Sequence, residues 1–409
     1  MDLTKKRWFI LIIYCLINLC IGSIYAWSVF SVPMEEFLNE TYHRNLSDGS
    51  LSIVFMVTST LAPLVMIIGG RLNDKFGPRW LIFFGGLLFG GGTFASGFAA
   101  DTPFLIASYG IGCGAGMGLV YSCTIGNSIK FFPDKRGLAG GIATASYGIS
   151  SILVPPIASG LINAIDVVHA FHILGIAFLL IICAGAFLVD QCPQGFEPAG
   201  WEGPQSGSAS NQTPSEFTWQ EMIRTPIFYV MMLILMCGTL SGMMCISQTS
   251  GVAQQMIGLS VSTAALCVSL LSLFNTGGRV AAGFLSDRIG RVHTLTIGFI
   301  LSLGGLLLLF VSNANMTITF YGAIALIGLS YGSIMGTFPA FTADRFGSKN
   351  NSVNYGIMCI GYSIAGFVGP MIMRTMYARQ GVYNNAFLVA ALFTLTGLLL
   401  IWIYKRKRT

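Results

Sequence analysis

An all-α membrane protein of about twelve transmembrane helices, arranged as two sets of six, is the fold class this sequence predicts. Three observations carry the prediction. Of the 409 residues, 54% are hydrophobic and only 9% are charged, whereas a soluble domain carries about 25% charged residues. Apolar runs long enough to cross a bilayer recur along the whole chain, and roughly 20 residues per span plus short connections leave room for about twelve. Between the sixth and seventh runs lies Gln191 to Thr218, whose Gly, Pro, Ser and Asn content suits a solvated linker.

The spans follow in order. The first, 8–32, comes after Lys5, Lys6 and Arg7 and is long enough to stay in the membrane rather than be cleaved as a signal. Spans 50–70, 80–100, 104–127, 137–160 and 169–190 complete the first set. Spans 226–248, 261–284, 293–312, 317–340, 354–374 and 385–404 form the second. The implied organisation is an N-terminal bundle at 1–190, a cytoplasmic linker at 191–222 and a C-terminal bundle at 223–409. With Met1 inside, all but Arg44, Arg279, Arg374 and Arg379 of the 22 Lys and Arg residues fall on inner segments. Both termini are then cytoplasmic by the positive-inside rule, and the positive charge requires no nucleic-acid partner. Fifty glycines suit closely packed helices. Of the ten cysteines only Cys192 lies in a loop, so neither a disulfide framework nor a zinc site is indicated.

A repeated motif supports duplication. GRLNDKFGPR occupies 70–79 and GFLSDRIGR occupies 283–291, each after the second span of its set. Both read Gly-x-Leu-x-Asp-basic-x-Gly. The glycines allow close approach and a tight turn, while Asp74 and Asp287 can cap the helix that follows or pair with a nearby cation.

With these motifs the chain resembles the major facilitator superfamily of transporters over essentially its whole length. FFPDKRGLAGG at 131–141, SYG at 146–148, RTPIFY at 224–229, NTGGR at 275–279, DRFG at 344–347 and NYG at 354–356 narrow the resemblance to the oxalate/formate antiporter family. The resemblance implies two pseudo-symmetric six-helix bundles working by alternating access around a site near the bilayer midplane. Gly70, Asp74, Arg79, Asp134, Arg136, Gly283, Asp287 and Arg288 are the candidate gating residues.

Arg279 is the most informative side chain, since no other charge lies between Ser260 and Ser286. An arginine in mid-membrane costs roughly 2.5–3.5 kcal/mol on insertion scales, so it usually faces a wet cavity and marks a function. Its planar fork fits a carboxylate. Snorkelling to the inner interface is the structural alternative. Asn275, one turn earlier, shares its face and offers a second polar contact. Tyr25, Tyr121, Tyr147, Tyr331 and Tyr362 all lie within spans, where a phenol needs a partner, and they complete the candidate substrate-binding set. In the resembled family the arginine is a substrate ligand, and the oxalate carrier has a lysine on its eleventh span as a second positive charge. The matching position here is Tyr362. One guanidinium balances one carboxylate, and a second unpaired carboxylate in low dielectric would cost several kcal/mol. A monocarboxylate such as lactate, pyruvate or formate is therefore expected over oxalate.

All 16 acids and the four histidines sit in loops or at span ends, which disfavours a symporter with an embedded carboxylate. Anion exchange and proton cotransport both remain open. An oxalate/formate-type exchanger and a non-transporting sensor of the same fold are the alternatives. An embedded enzyme would need a nucleophile and base, or clustered His, Asp and Glu, within the membrane. The expected partners are a small organic anion, with a coupled proton or counter-anion, and the lipid bilayer of a prokaryotic inner membrane. No cofactor or metal is expected, and a monomer suffices.

Overall fold

The computed structural model describes residues 3–47, 50–201, 216–314 and 316–406. Among these, every regular element is a helix. Twelve are long: α1 Leu3–Tyr42, α2 Ser52–Phe76, α3 Pro78–Ser96, α4 Thr102–Phe131, α5 Arg136–Ala164, α6 Val167–Leu188, α7 Pro226–Gln255, α8 Val261–Ile289, α9 Arg291–Val311, α10 Thr317–Phe346, α11 Asn351–Gln380 and α12 Asn384–Arg406. Eleven are long and apolar enough to cross a membrane among the described residues. The glycine-rich α3 is the shortest of the twelve, at 19 residues. Most helices outrun the apolar runs that announce them, because helical hydrogen bonding continues into polar turns beyond the apolar stretch. The middle of the expected linker, 202–215, and the end of the basic tail, 407–409, lie outside the described residues.

The chain divides into two compact units. Unit 1 comprises Met1–Asp134, Ser146–Glu216 and Gly347–Ile357; unit 2 comprises Lys135–Ala145, Phe217–Phe346 and Met358–Thr409. The first turns of α5 therefore pack in unit 2, and those of α11 in unit 1.

The duplicated motif performs the same local task in each unit. Gly77 (φ 81°) ends α2 and opens α3, with Pro78 at the first helical position. Gly290 (φ 88°) ends α8 and opens α9. Both backbones are left-handed, a conformation that glycine adopts without a steric penalty.

Helix packing also repeats. In unit 2, Gly328, Gly332 and Gly336 recur every fourth residue along α10 and meet α8 at Leu271, Asn275 and Arg279, which are also spaced by four. A Cβ at Gly328 would stand 2.7 Å from the Leu271 carbonyl oxygen, and one at Gly336 would stand 2.8 Å from the Arg279 Cα. In unit 1, Gly114 and Gly118 bring α4 against Thr58 and Ala62 of α2. Matched stripes of this kind allow backbone-to-backbone approach where larger side chains would hold the helices apart.

The described ends of the expected linker are mostly exposed and are tethered by a few contacts. In unit 1, Asp190 pairs with Lys6 and, at 3.2 Å, with Arg79. Phe196 meets the Phe131 ring at 6.0 Å, and Ala199 donates its N–H to Thr4 Oγ1 at 3.1 Å. Burial pushes the Cys192 thiol in this stretch up to about 12, which keeps it protonated and unreactive. In unit 2, Phe217 donates to the Phe346 carbonyl at 3.0 Å. Thr218 and Glu221 then form a capping box that starts the short helix Trp219–Arg224.

Candidate functional site

Arg279 is buried, with 2% of its surface exposed. Its Nε donates to Asn275 Oδ1 at 3.1 Å, as the shared helical face requires. Its Nη1 donates to the Thr144 carbonyl oxygen at 2.7 Å. These two neutral oxygens orient the fork. The Tyr331 ring lies 5.9 Å from the guanidinium carbon, within range of a cation–π attraction. Tyr331 is itself 2% exposed, and its hydroxyl approaches Met243 Sδ at 3.9 Å. The glycine stripe accounts for this geometry: Gly332 and Gly336 seat α10 on the backbone of Asn275 and Arg279. Tyr331, one residue before Gly332, is carried to the guanidinium. Burial in this cluster excludes the snorkelling alternative for Arg279.

Three other candidates gather in unit 1. Tyr147 meets Tyr25 at 5.4 Å and Tyr121 at 5.2 Å, both edge-on, and its hydroxyl approaches Met117 Sδ at 3.5 Å. Tyr25 falls within the 3-10 turn Gly22–Ala26 that interrupts α1. A Cβ at Gly22 would strike the Tyr147 carbonyl and come within 2.7 Å of the Ser150 Cβ, so glycine is what admits α5 here. Tyr362 stands apart from both clusters in sequence, half-buried on α11 of unit 2.

The candidate gating residues form ionic clusters at helix ends. In unit 1, Asp74 accepts from Lys130 at 2.6 Å and from the Val353 N–H at 3.3 Å. In unit 2, Asp287 accepts the Gly137 and Leu138 N–H groups at 2.8 Å each and pairs with Arg291 at 2.6 Å. Each carboxylate thus pairs with a cation and caps the first turn of another helix, α11 or α5, rather than the helix that follows it. Such N-termini carry exposed donors and partial positive charge. Arg136 pairs with Asp344 at 3.0 Å, and Arg291 shares that carboxylate at 2.8 Å. Asp134 holds Arg7 at 2.5 and 3.0 Å. Arg288 lies over the Phe284 ring at 4.1 Å. Gly70 brings α2 onto the backbone of Ser352, and Gly283 brings α8 onto that of Gly137.

Several participants were not singled out from sequence. Asn127 donates to Asn73, which donates to Ser352, at 3.0 and 2.8 Å; these buried amides resembled ordinary helix-interface polar groups. The Thr144 carbonyl carries no side-chain signal at all. The GxxxGxxxG spacing from 328 to 336 was legible. Among the described residues, no group of three or more His, Cys, Asp or Glu could hold a metal ion.

A family model described as Major Facilitator Superfamily matches residues 16–370 and 251–409. The chain is 29% identical to an uncharacterized MFS-type transporter, YhjX, of Escherichia coli strain K12, over 88% of this chain and 86% of that one. It is 28% identical to the oxalate:formate antiporter of Oxalobacter formigenes, covering 95% and 89%. Monocarboxylate transporter 12-B of Danio rerio is 24% identical, covering 86% and 77%. The solved proton:xylose symporter XylE superposes with a TM-score of 0.72 at 15% identity, covering 98% and 96%, a likeness of fold.

Proposed function

Because the chain belongs to the Major Facilitator Superfamily, a family of membrane transporters rather than enzymes, we propose that it carries a small organic monocarboxylate of the lactate, pyruvate or formate class by alternating access. Arg279 binds the carboxylate. The observation that carries this reading is a buried guanidinium oriented by Asn275 and the Thr144 carbonyl beside Tyr331. In a site of low dielectric, a charge-assisted bidentate contact to that fork is strong and directional. Tyr25, Tyr121 and Tyr147 supply a polar aromatic wall for the solute. The halves 1–190 and 223–409, joined by 191–222, carry the motion. The protein works as a monomer in a bacterial inner membrane with both termini on the cytoplasmic side.

A second reading, exchange of a dicarboxylate for a monocarboxylate, is favoured by the likeness to the oxalate:formate antiporter. Uptake into proteoliposomes separates the two. Lactate, pyruvate, formate and oxalate are tested with and without a pH gradient, and with and without internal anion. Monocarboxylate uptake is expected; oxalate uptake alone sinks the first reading. Acceleration by an inward proton gradient identifies cotransport, and dependence on internal anion identifies exchange. Tyr362→Lys adds a second cation and is expected to move preference toward oxalate by about tenfold, since one added ion pair is worth on the order of 1.4 kcal/mol or more. Unaltered selectivity counts against Tyr362 facing the solute.

Asp74→Asn and Asp287→Asn keep the shape of the cap and remove its charge. Such caps are worth about 1 kcal/mol. Turnover is expected to fall roughly fivefold with KM little changed, measured as initial uptake rates across substrate concentrations.

A further inference from the structure

The C-terminal half of α7, which is the outer half under the proposed topology, reads CISQTSGVAQQ from Cys245 to Gln255, with hydroxyl and amide side chains inside a helix otherwise apolar enough to span a membrane. At 100° per residue, positions 243, 247, 250 and 254 fall within a sector of roughly 60°. That sector is the accessible one: Ser247 is exposed, and Met243, Ser250 and Gln254 are half-buried, while Met244, Cys245, Thr249, Val252 and Ala253 pack inward. Large hydrocarbons are exposed elsewhere in unit 2, as at Leu266 (69% exposed) on α8 and Leu392 (64%) on α12, with only scattered polar positions such as Ser269 and Thr396 beside them. A stripe of serine and glutamine is unsuited to lipid and suited to water.

The stripe also joins the proposed site. Its first member, Met243, receives the Tyr331 hydroxyl, and the Tyr331 ring lies against Arg279. From there Ser247, Ser250 and Gln254 follow at one-turn intervals. Gln254 Nε2 donates to Ser250 Oγ at 2.9 Å, and Ser247 Oγ donates to the Met244 carbonyl at 2.8 Å. A serine bonded back to its own helix gives up only a weak contact when it rotates toward a ligand.

We propose that Ser247, Ser250 and Gln254 form an outer station for a small carboxylate, which their hydroxyl and amide donors hold by neutral hydrogen bonds before it reaches Arg279. The station rests on the monocarboxylate reading for the identity of its ligand. Neutral donors suit the role, because a second fixed cation would trap the anion short of the arginine. Its contribution therefore lies in capture rather than in turnover.

Two measurements test it. Ser247→Cys and Gln254→Cys are made one at a time and exposed in proteoliposomes to a membrane-impermeant charged maleimide, with the parent protein as background for its ten cysteines, nine of them buried. Maleimide attack needs a hydrated thiolate, so labelling that lactate slows is expected; no labelling above background, or labelling that saturating lactate leaves unchanged, overturns the station. In parallel, the double variant Ser247→Ala/Gln254→Leu is expected to raise KM for lactate about fivefold with kcat unchanged. A fall in kcat at constant KM indicates a packing role and also overturns it. The labelling arm needs no turnover. Full transport by Arg279→Ala would defeat the monocarboxylate site while leaving the accessibility of α7 to be read separately.

Discussion

Arg279→Ala is expected to abolish carboxylate uptake and to leave the protein folded. Removing one partner of a desolvated, hydrogen-bonded charge pair costs about 3–5 kcal/mol, a loss on the order of 10²-fold or more in kcat/KM. Little change in stability is expected, because Asn275 Oδ1 and the Thr144 carbonyl, two of the acceptors left behind, are neutral groups within helices. Thermal unfolding of the purified variant should fall within a few degrees of the parent. Arg279→Lys restores the charge but not the fork, and recovery below about a tenth of parental uptake is expected. A variant lacking the guanidinium that transports at the parental rate would remove Arg279 from the binding site altogether.

Gly332→Ala should be nearly as damaging, by a different route. The added methyl would collide with the Asn275 carbonyl and stand 2.9 Å from the Arg279 backbone nitrogen. Both neighbours are backbone, so neither can rotate away. Helices α8 and α10 must separate, at about 1–3 kcal/mol for overpacking. Tyr331 then withdraws from the guanidinium. Lower thermal stability together with at least tenfold slower uptake is expected. Gly277→Ala is the control on the same helix as Arg279. A Cβ there meets nothing within 4 Å, and alanine in a helix interior gains about 0.5–1 kcal/mol over glycine. Equal effects of the two substitutions would refute the close-packing account.

Much of the fold was legible because the bilayer makes span length and hydropathy decisive. The repeated Gly-x-Leu-x-Asp-basic-x-Gly pattern located two equivalent left-handed turns, at Gly77 and Gly290. Which helix each aspartate caps was not legible. A local reading offered the helix that follows or a nearby cation; each aspartate has a cation, Lys130 or Arg291, but the capping donors are Val353 for Asp74 and Gly137 and Leu138 for Asp287, each more than 100 residues away. The polar stripe of α7 also escaped notice, because serine and glutamine in an apolar helix look like incidental polar residues until their accessibility is known.

The sequence by itself determined that the chain is a set of membrane-spanning helices, that its halves share a motif, and that Arg279 and Asn275 lie on one helical face. Those features follow from local rules: the hydrophobic length of a bilayer, the φ that only glycine adopts freely, and the 100° turn of a helix. Tertiary structure alone decided that the guanidinium is buried, that a backbone carbonyl of α5 and the Tyr331 ring meet it, and that Tyr25, Tyr121 and Tyr147 form one trio. The physical reason is that close packing between helices distant in sequence depends on backbone approach distances, and no single segment encodes the position of its neighbour.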